Sequence, residues 1–379
     1  RGCIVHACQE VCPKGAISIV NQRAVVDKEK CIECGKCAKA CPYTAIIMQH
    51  RPCMVSCKVK AISIDENKKA KIDNDKCISC GACVYKCPFG AITDKSYVLD
   101  IIDMLKGSEN NTKYKVYAVI APAIVSQCRF GRPSQVVTAI QKLGFHQVVE
   151  AALGADITLY NEALEWKEKG LMTTSCCPSY VAFIEKNFPE LVQHISHSVS
   201  PMIMTAQLIK HSDPTAKCVF IGPCASKKAE FKLPKTGGAI DCVMSFEELQ
   251  AFLDARGIDT VECEDTVLDN GSFYGRIFAK SGGIVQGLLD VAKDLNVEGL
   301  KPIVMSGIDE CRANLMKLKF GKATENFFEG MACEGGCLNG PLCITHSPRN
   351  IVDVDKYGNE AKEKTIYNSV KLYEMTKEQ

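Results

Sequence analysis

The sequence has no excess of charge of one sign. Its 46 lysine and arginine residues nearly balance 44 aspartate and glutamate residues, for a formal net charge of +2. Proteins that bind nucleic-acid phosphates usually carry surplus positive charge, so we expect no nucleic-acid partner. Long apolar runs are also missing, since no stretch approaches the roughly 20 consecutive apolar residues of a membrane span. Because residues 1–10 do not read as a signal peptide either, we expect a soluble, cytoplasmic protein.

The sequence also lacks the composition of a disordered or collagen-like chain. Apolar residues make up 46% and charged residues 24% of the 379 positions, which is ordinary for a globular protein. A chain of this length has room for about two or three domains, each with its own core.

Cysteine is the residue type in clear excess. Of 24 cysteines, thirteen lie within residues 3–87 and eleven are spread over the remainder. Disulfide bonds are one explanation, but they do not require any particular close spacing. The dense region contains C-x2-C-x2-C-x3-C-P runs, whose spacing lets several thiolates converge on one inorganic cluster. We therefore interpret this region as binding iron–sulfur clusters.

The cysteine-dense region contains a fourfold internal repeat. Its four cysteine runs end in similar short phrases, KGAISI, YTAIIM, VKAISI and FGAIT. Two runs are degenerate and two are complete. In chain order, the cysteines of the four runs are Cys3, Cys8 and Cys12; Cys31, Cys34, Cys37 and Cys41; Cys53 and Cys57; and Cys77, Cys80, Cys83 and Cys87.

The repeat resembles bacterial ferredoxins, in which two such halves pack around two 4Fe-4S clusters and the fourth cysteine of each run binds the cluster of the other half. The resemblance implies two ferredoxin-like α+β modules, at residues 1–50 and 51–95. Crossing the ligands in this way gives two complete sets, Cys31, Cys34, Cys37 with Cys12, and Cys77, Cys80, Cys83 with Cys57.

The same rule leaves two sets incomplete. Cys3, Cys8 and Cys41 lack one ligand, which a cysteine immediately before Arg1 would supply. The last set has only Cys53 and Cys87, which are either small buried side chains or rearranged ligands. We therefore predict two or three 4Fe-4S clusters in this region.

The first 100 residues are basic, with 16 lysine and arginine residues against 10 aspartate and glutamate residues, a net of +6. Positive charge is expected around thiolate-bound clusters, which are negative. A docking patch for an acidic redox partner is the alternative, and we favour charge compensation.

A long domain follows at residues 96–379. The segment YVLDIIDMLK at 97–106 has helical spacing and precedes a polar linker. Short β-branched runs at 115–123, 217–224 and 302–307 then alternate with amphipathic stretches such as 133–145. This alternation predicts an α/β domain with parallel sheets and helices on both faces, and ligands in such folds collect beyond the carboxyl ends of strands.

Three cysteine phrases lie at strand ends or on glycine-rich loops of this domain. They are TSCCPSY at 174–180, GPCASKKAE at 222–230 and EGMACEGGCLNG at 329–340. A single cysteine here would fit a core position, and a single C-x3-C pair would fit zinc. Together, in this order and after ferredoxin-like repeats, the phrases resemble the signature loops of FeFe hydrogenases. That resemblance implies a two-lobed hydrogenase domain with its cofactor between the lobes.

The resemblance also implies the cofactor and its ligands. The H-cluster of this family is a 4Fe-4S cluster joined through a cysteine sulfur to a diiron subsite that carries CO, cyanide and a bridging azadithiolate. Lys227 matches the family lysine that donates to a cyanide ligand, whereas we expect the neighbouring Lys228 to be solvated. Met331 matches a residue of the diiron pocket, and Ser200 is a weaker candidate for a supporting position. The implied cluster ligands are Cys177, Cys224, Cys333 and Cys337, with Cys337 bridging to the diiron unit.

A proton path is implied by the same resemblance. Cys176 matches the thiol that passes protons to the bridging amine, and Glu162, Glu165 and Ser196 match further relay positions. Thiol, carboxyl and hydroxyl groups can each accept a proton and then donate one, as a proton path requires. For the two glutamates the alternative is a solvated helix face, because E-x2-E is common there.

Three departures from the most studied catalytic group stand out. Tyr180 replaces a tryptophan, Gly222 replaces a methionine that would cover the diiron site, and residues 340–343 replace Gly-Gly-Gln-Pro. All four ligands, Cys176 and Lys227 remain, so the changes fit a divergent subgroup.

The resemblance as a whole implies reversible conversion of protons and electrons to H2, with electrons relayed through the N-terminal clusters. It further implies a ferredoxin or other small redox protein as partner and dedicated H-cluster maturation proteins. A hydrogen-sensing paralogue and an iron–sulfur assembly scaffold without the diiron subsite are the alternatives. We expect the remaining cysteines to be buried and inert, namely Cys128, Cys218, Cys242, Cys263, Cys311 and Cys343.

Overall fold

The computed structural model describes residues 3–48, 50–127 and 131–371, so that Cys128 lies outside the described residues. Contacts between residues divide the chain into two compact units, Arg1–Val55 and Ser56–Gln379.

The first unit is built on a β-hairpin with short helices. Its strands pair antiparallel with Ile17 opposite Val26, and Ala16 and Ile17 are buried. The elements are α1 (Ala7–Glu10), β1 (Ile17–Val20), β2 (Arg23–Val26), α2 (Lys36–Ala40) and α3 (Pro52–Ser56), the last of which ends at the boundary.

The second unit begins with a segment of the same kind, residues 56–95, which we call the second module. It contains β3 (Ile62–Ile64) and β4 (Ala70–Ile72), paired antiparallel, followed by α4 (Ala82–Tyr85). The repeat predicted from the sequence is visible in the backbone. The third residue after the last cysteine of each run has a left-handed φ of 49° to 60°, at Gly15, Thr44, Lys60 and Gly90.

The remainder of the second unit contains two parallel sheets. One has the strand order β6-β5-β8-β9 and the other the order β10-β11-β7. The runs at 115–123, 217–224 and 302–307 contain strands as predicted. The strands are β5 (Val116–Ile120), β6 (Gln147–Glu150), β7 (Met172–Thr173), β8 (Lys217–Ile221), β9 (Cys242–Met244), β10 (Pro302–Ser306) and β11 (Phe327–Met331).

Helices pack against both sheets, and two of them fall where the spacing predicts. No helix of the described ranges has the length and apolar character to cross a bilayer. The helices are α5 (Val98–Gly107), α6 (Pro133–Lys142), α7 (Ala151–Lys169), α8 (Pro178–Asn187), α9 (Pro201–Ser212), α10 (Lys227–Glu230), α11 (Phe246–Ala255), α12 (Phe273–Ile277), α13 (Gly283–Asp294), α14 (Ile308–Lys319), α15 (Asn350–Glu360) and α16 (Ile366–Lys371).

Helix α7 is central to this unit and carries several acidic side chains into the interior. It contacts α9, α12, α13 and α16, so only its last turn reaches the surface broadly. Glu150, just before α7, accepts from Arg276 of α12 at 2.8 and 3.1 Å, and both side chains are buried. Breaking a buried pair of this kind leaves an uncompensated charge, so the pair fixes α12 against the start of α7.

Candidate metal centre

The cysteine phrases of the long domain lie just beyond the carboxyl ends of strands from both parallel sheets. Strand β8 of one sheet ends at Ile221, shortly before Cys224. Strands β7 and β11 of the other sheet end at Thr173 and Met331, shortly before Cys177 and Cys333. The carboxyl ends of parallel strands are the usual position of a binding site in α/β folds.

The side chains of Cys177, Cys224, Cys333 and Cys337 lie near one another at these strand ends. Burial raises the pKa of the Cys333 thiol well above its ordinary value, and the neighbouring thiols of Cys224, Cys177 and Cys337 raise it further. Cys224 Sγ also lies 3.1 Å from Ser226 Oγ. A group of soft sulfur donors is the donor set of iron–sulfur clusters. The described part of the chain contains no group of three or more His, Cys, Asp or Glu side chains placed to hold a single metal ion.

A small, largely apolar cavity adjoins these thiols, with a volume of about 90 Å³. Cys176 and Lys227 line it together with the thiols of Cys177, Cys224 and Cys337, and Met331 and Phe220 form part of its wall. Cys176 is 7% exposed, and burial raises the pKa of its thiol well above the ordinary value. The cavity therefore holds a neutral thiol and a cation in surroundings of low polarity.

Lys227 is held by an ion pair inside the protein. Its Nζ lies 2.6 Å from Glu230 Oε2 and donates to the Cys176 carbonyl at 3.1 Å. Burial alone would lower the pKa of Lys227, but Glu230 outweighs burial and holds that pKa above the ordinary value. Ser200 Oγ donates to the same Glu230 oxygen at 3.3 Å. Sequence reasoning overlooked Glu230, although its spacing of three residues from Lys227 on a helix was an available signal.

Glu162 is completely buried, and its carboxyl group has no hydrogen-bond partner among the described residues. Burial raises its pKa to about 8. The Ser175 backbone and the Ser196 hydroxyl lie close enough to lower this pKa, but neither forms a hydrogen bond with the carboxyl group. A buried polar group of this kind needs a partner such as an ordered water molecule. The solvated helix face considered from the sequence is therefore wrong for Glu162.

Glu165 has a richer set of partners than Glu162. It accepts from Ser196 Oγ at 2.8 Å, from the His197 backbone N–H at 3.0 Å and from Lys169 Nζ at 2.7 Å. Burial would raise the pKa of Glu165, but these donors together lower it. Lys169 and His197 reach solvent, with side-chain exposures of 27% and 81%. The structure thus places Glu162, Ser196 and Glu165 in one polar region that extends from beneath Cys176 to the surface.

The space beside Gly222 is filled by another side chain. A Cβ atom at Gly222 would lie 2.5 Å from Phe220 Cε1 and 3.2 Å from the Cβ of Ala121. Phe220 is 5% exposed and contributes to the cavity wall. The bulk that the family carries at the position of Gly222 is therefore supplied here by a residue of the preceding strand. No local sequence signal revealed this exchange.

Gly222→Met is expected to destabilise the protein by about 1–3 kcal/mol, because the new side chain would overlap the Phe220 ring. Thermal unfolding of Gly222→Met, Phe220→Ala and the double variant measures the effect as a double-mutant cycle. The double variant should lose less stability than the sum of the two single losses, because Phe220→Ala makes room for the methionine and the methionine fills the space that the ring leaves. Additive losses would contradict the packing described for this pair.

Tyr180 is accommodated by its surroundings in the same way. It is completely buried, and its hydroxyl shares a hydrogen bond of 2.6 Å with Thr173 Oγ. A Cβ atom at Gly330 would lie 2.2 Å from the Tyr180 ring, so glycine on β11 leaves the required space. The Tyr180 hydroxyl thus has a hydrogen-bond partner, and the Tyr180 ring occupies space that Gly330 leaves free.

The structure corrects the expectation for Lys228. Its side chain is 5% exposed and pairs with Asp94 at 2.5 Å and with Glu248 at 2.7 Å. Glu248 also accepts from the Ser245 backbone at the start of α11, so Lys228 joins three segments. Two carboxylates compensate the burial of the ammonium group, which is why it is not solvated. The expected burial of the remaining described cysteines is confirmed for Cys218, Cys242, Cys263, Cys311 and Cys343.

The last cysteine of each N-terminal repeat accepts a backbone hydrogen bond from the alanine four residues later. The N···S distances are 3.2 Å at Cys12, 3.4 Å at Cys41, 3.2 Å at Cys57 and 3.2 Å at Cys87. Backbone N–H groups lower the pKa of Cys12, Cys41 and Cys87, led by those of Lys14, Ala45 and Phe89 respectively. We call this arrangement the sulfur turn.

Within the first unit, Cys8 lies near two other cysteines. Burial raises the pKa of the Cys8 thiol, and the nearby thiols of Cys3 and Cys41 raise it further. These are the three members of the set that lacks one ligand. Cys53 is buried in the same unit.

Within the second module, Cys80 has three cysteine neighbours. Burial raises the pKa of its thiol to about 11, with further contributions from Cys83, Cys57 and Cys77. These four residues form the set expected by crossing the ligands. Cys80 in turn contributes to the raised pKa of Cys333, so the set adjoins the centre in the long domain.

Comparison with protein families gives two matches. A family described as "Iron only hydrogenase large subunit, C-terminal domain" matches residues 114–341. A "4Fe-4S binding domain" matches residues 24–47 and 70–93.

Individual relatives are of two kinds. Iron hydrogenase 1 of Clostridium pasteurianum is 29% identical over 90% of this chain and 69% of that protein. The periplasmic [Fe] hydrogenase large subunit of Nitratidesulfovibrio vulgaris is 30% identical over 83% of this chain and 85% of that protein. The cytosolic Fe-S cluster assembly factor NAR1 of Kluyveromyces lactis is 36% identical over 24% of this chain and 20% of its own length.

Solved structures share the fold. A variant of [FeFe]-hydrogenase HydA1 from Chlamydomonas reinhardtii superposes with a TM-score of 0.60 at 20% identity, covering 73% of this chain and 93% of that one. The structure of HydA(deltaEFG) gives a TM-score of 0.59 at 21% identity, with the same coverage of both chains.

Proposed function

Because the chain belongs to the iron-only hydrogenase family, we propose that it is an oxidoreductase that interconverts two protons and two electrons with H2. One observation carries the proposal: Cys176 and Lys227 both line an apolar cavity that is also lined by Cys177, Cys224 and Cys337. A centre that only stored or transferred electrons would need neither a proton-exchanging thiol nor a buried cation at this cavity.

The residues of the centre fit the H-cluster by their chemistry. Cys177, Cys224, Cys333 and Cys337 would hold it, with Cys337 as the bridge to the diiron unit. When bound, the H-cluster supplies the redox chemistry of hydrogen. Lys227, kept charged by Glu230, would donate to an anionic ligand in the dry cavity. Met331 and Phe220 would exclude water from this space.

Protons would reach the cavity through Cys176 and the polar region behind it. At pH 7 Glu162 holds its proton, since burial raises its pKa to about 8, while Glu165 is ionised because its donors lower its pKa. Ser196 donates to Glu165, and the Ser196 hydroxyl also acts on Glu162. A water molecule beside the unpartnered Glu162 carboxyl would complete the path to Cys176.

Electrons would enter through the second module, which lies directly against the centre. A Cβ atom at Gly81 would lie 2.7 Å from Ala225 Cβ and 2.7 Å from Pro341 Cγ. The backbone beside Cys80 therefore contacts the residue after Cys224 and the residue after the 329–340 phrase. We propose a ferredoxin or other small redox protein as the external donor or acceptor, dedicated maturation proteins and a cytoplasmic location. Two or three 4Fe-4S clusters are proposed for the cysteine sets of the N-terminal repeats.

An assembly factor is the second candidate, and the resemblance to the NAR1 proteins supports it. Such a scaffold would use the four cysteines for a 4Fe-4S cluster and would have no diiron subsite. Cys176 and the pair of Lys227 with Glu230 would then have no partner in the cavity. A hydrogen-sensing paralogue would retain the diiron subsite and differ in its turnover.

Infrared spectroscopy of the matured protein separates these candidates. We expect bands of iron-bound CO and cyanide, together with iron for the H-cluster and for two or three further 4Fe-4S clusters. Full cluster iron without such bands would support the assembly factor, and zinc alone in the long domain would contradict both candidates. Bands with very slow H2 turnover would favour the sensor.

A further inference from the structure

The long domain directs two cationic side chains at the backbone of the second module. Lys186 Nζ donates to the carbonyl of Cys77 at 2.7 Å and to that of Asn74 at 2.8 Å. Arg312 Nη2 donates to the carbonyl of Lys58, the residue after Cys57, at 2.8 Å. Both contacts therefore lie beside cysteines of a single proposed cluster set.

The two cations stand on helices that frame the metal centre. Lys186 lies near the end of α8, which begins directly after Cys177. Arg312 lies on α14, and its guanidinium carbon is 5.2 Å from the centre of the Phe183 ring of α8. The side chains are thus attached to the framework that positions the centre.

The local charges leave these two cations without opposing carboxylates. Asp309, also on α14, pairs with Lys58 of the second module at 2.5 Å. Within the module, Lys76 pairs with Asp73 at 3.2 Å. In the described ranges of the chain neither Lys186 nor Arg312 pairs with a carboxylate. Their positive charge is therefore directed at the cluster set.

We propose that Lys186 and Arg312 raise the reduction potential of the 4Fe-4S cluster at Cys57, Cys77, Cys80 and Cys83. The inference rests on the proposed function, which assigns a cluster to this set. Reduction adds one electron from a neighbouring cluster or redox partner, which is oxidised, and no bond is broken. The added negative charge is stabilised by nearby cations, and a carbonyl oxygen that accepts from a cation has its own negative charge offset. An electron would then reside on the cluster next to the metal centre.

A purely structural role would make Lys186 and Arg312 attachments between module and domain. If the two residues only attach the module, a neutral hydrogen-bond donor should leave the midpoint potential unchanged. If their charge raises the potential, glutamine should lower it even though glutamine can still donate a hydrogen bond. Exchanging lysine for arginine, or arginine for lysine, should then leave the potential unchanged. The midpoint potential therefore distinguishes the two roles.

The test is an EPR-monitored redox titration of the full chain with its clusters. The signal of the second module is identified as the one that Cys80→Ala removes. The double variant Lys186→Gln, Arg312→Gln should make reduction of this cluster about tenfold less favourable. Its midpoint potential should therefore become more negative by ~59 mV for one electron. Each single change should give a smaller shift in the same direction. The variants Lys186→Arg and Arg312→Lys, which keep the positive charge, should have the wild-type midpoint potential.

Lys319→Gln is the matched control. Lys319 is also on α14, but its ammonium group pairs with a carboxylate of the long domain, Glu190, at 2.6 Å. It should leave the midpoint unchanged, and an equal shift in this variant would overturn the inference. An unchanged midpoint in the double variant would overturn it as well, while leaving the proposed function intact. The absence of any signal that depends on Cys80 would instead contradict the cluster set itself.

Discussion

Cys176→Ala is expected to lower H2 turnover by about 10²- to 10⁴-fold while the infrared bands of bound CO and cyanide persist. The thiol lines the cavity and belongs to none of the predicted ligand sets, so its removal should not prevent cluster binding. A methyl group can neither accept nor donate a proton, and Glu162 is not among the residues that line the cavity, so it does not replace the thiol there. H2 production from a chemical reductant, measured beside the infrared spectrum, separates these two effects.

Two variants serve as controls for the Cys176 experiment. Cys176→Asp should retain more activity than alanine, because burial raises the pKa of a carboxyl group and allows it to exchange a proton near neutral pH. Cys311→Ala also replaces a buried thiol, but this one donates to the carbonyls of Met305 and Met331 and does not line the cavity. It should cost about 1 kcal/mol of stability and leave turnover unchanged. Equal turnover in wild type and Cys176→Ala would show that protons use another route, and the roles of Glu162, Glu165 and Ser196 would fall with it.

Cys224→Ala is expected to abolish retention of the H-cluster and hence all H2 turnover. It removes one of four sulfur donors from a buried site, and the alanine methyl group cannot bind iron. The N-terminal clusters should remain, because their predicted ligand sets contain no residue of the long domain. Iron analysis should therefore show a loss confined to the H-cluster, and EPR should still show the reduced ferredoxin-type clusters.

Cys218→Ala is the matched control, since Cys218 is completely buried on β8 just upstream of Cys224 and faces the core. It should retain its H-cluster bands. If Cys224→Ala removed the EPR signals of the N-terminal clusters too, the separation of ligand sets near residue 96 would be incorrect. Retention of CO and cyanide bands in Cys224→Ala would contradict the assignment of this ligand.

Much of this architecture is local and could be predicted from spacing. The strand that precedes Cys224 is a short apolar run, and the helix at 98–107 follows directly from its pattern. The repeat is visible in the sequence because the two complete runs have the same cysteine spacing and all four runs are followed by similar phrases. Local periodicity encodes such elements, since each depends on neighbours in the chain.

The features that escaped prediction join residues far apart in the sequence. Lys228 was expected in solvent because its partners Asp94 and Glu248 belong to other segments. Arg312 likewise reaches Lys58 across most of the chain. Phe220 could not be assigned to the space beside Gly222, since strand residues alternate in direction and a glycine reveals nothing about what fills its place. Tertiary contacts of this kind have no local signature.

The sulfur turn has a consequence for how such modules change over evolutionary time. Its N–H···S bond joins residues only four positions apart, so the shape of each turn is set by contacts within the same short stretch of backbone. The turn at Cys87 has the same form as that at Cys12, although the set of Cys87 retains only one other cysteine. The same local turn therefore occurs at Cys12, whose predicted set has four cysteines, and at Cys87, whose set has two. The number of cysteines that the sequence supplies for a cluster and the local backbone shape at each of them are thus separate properties of this chain.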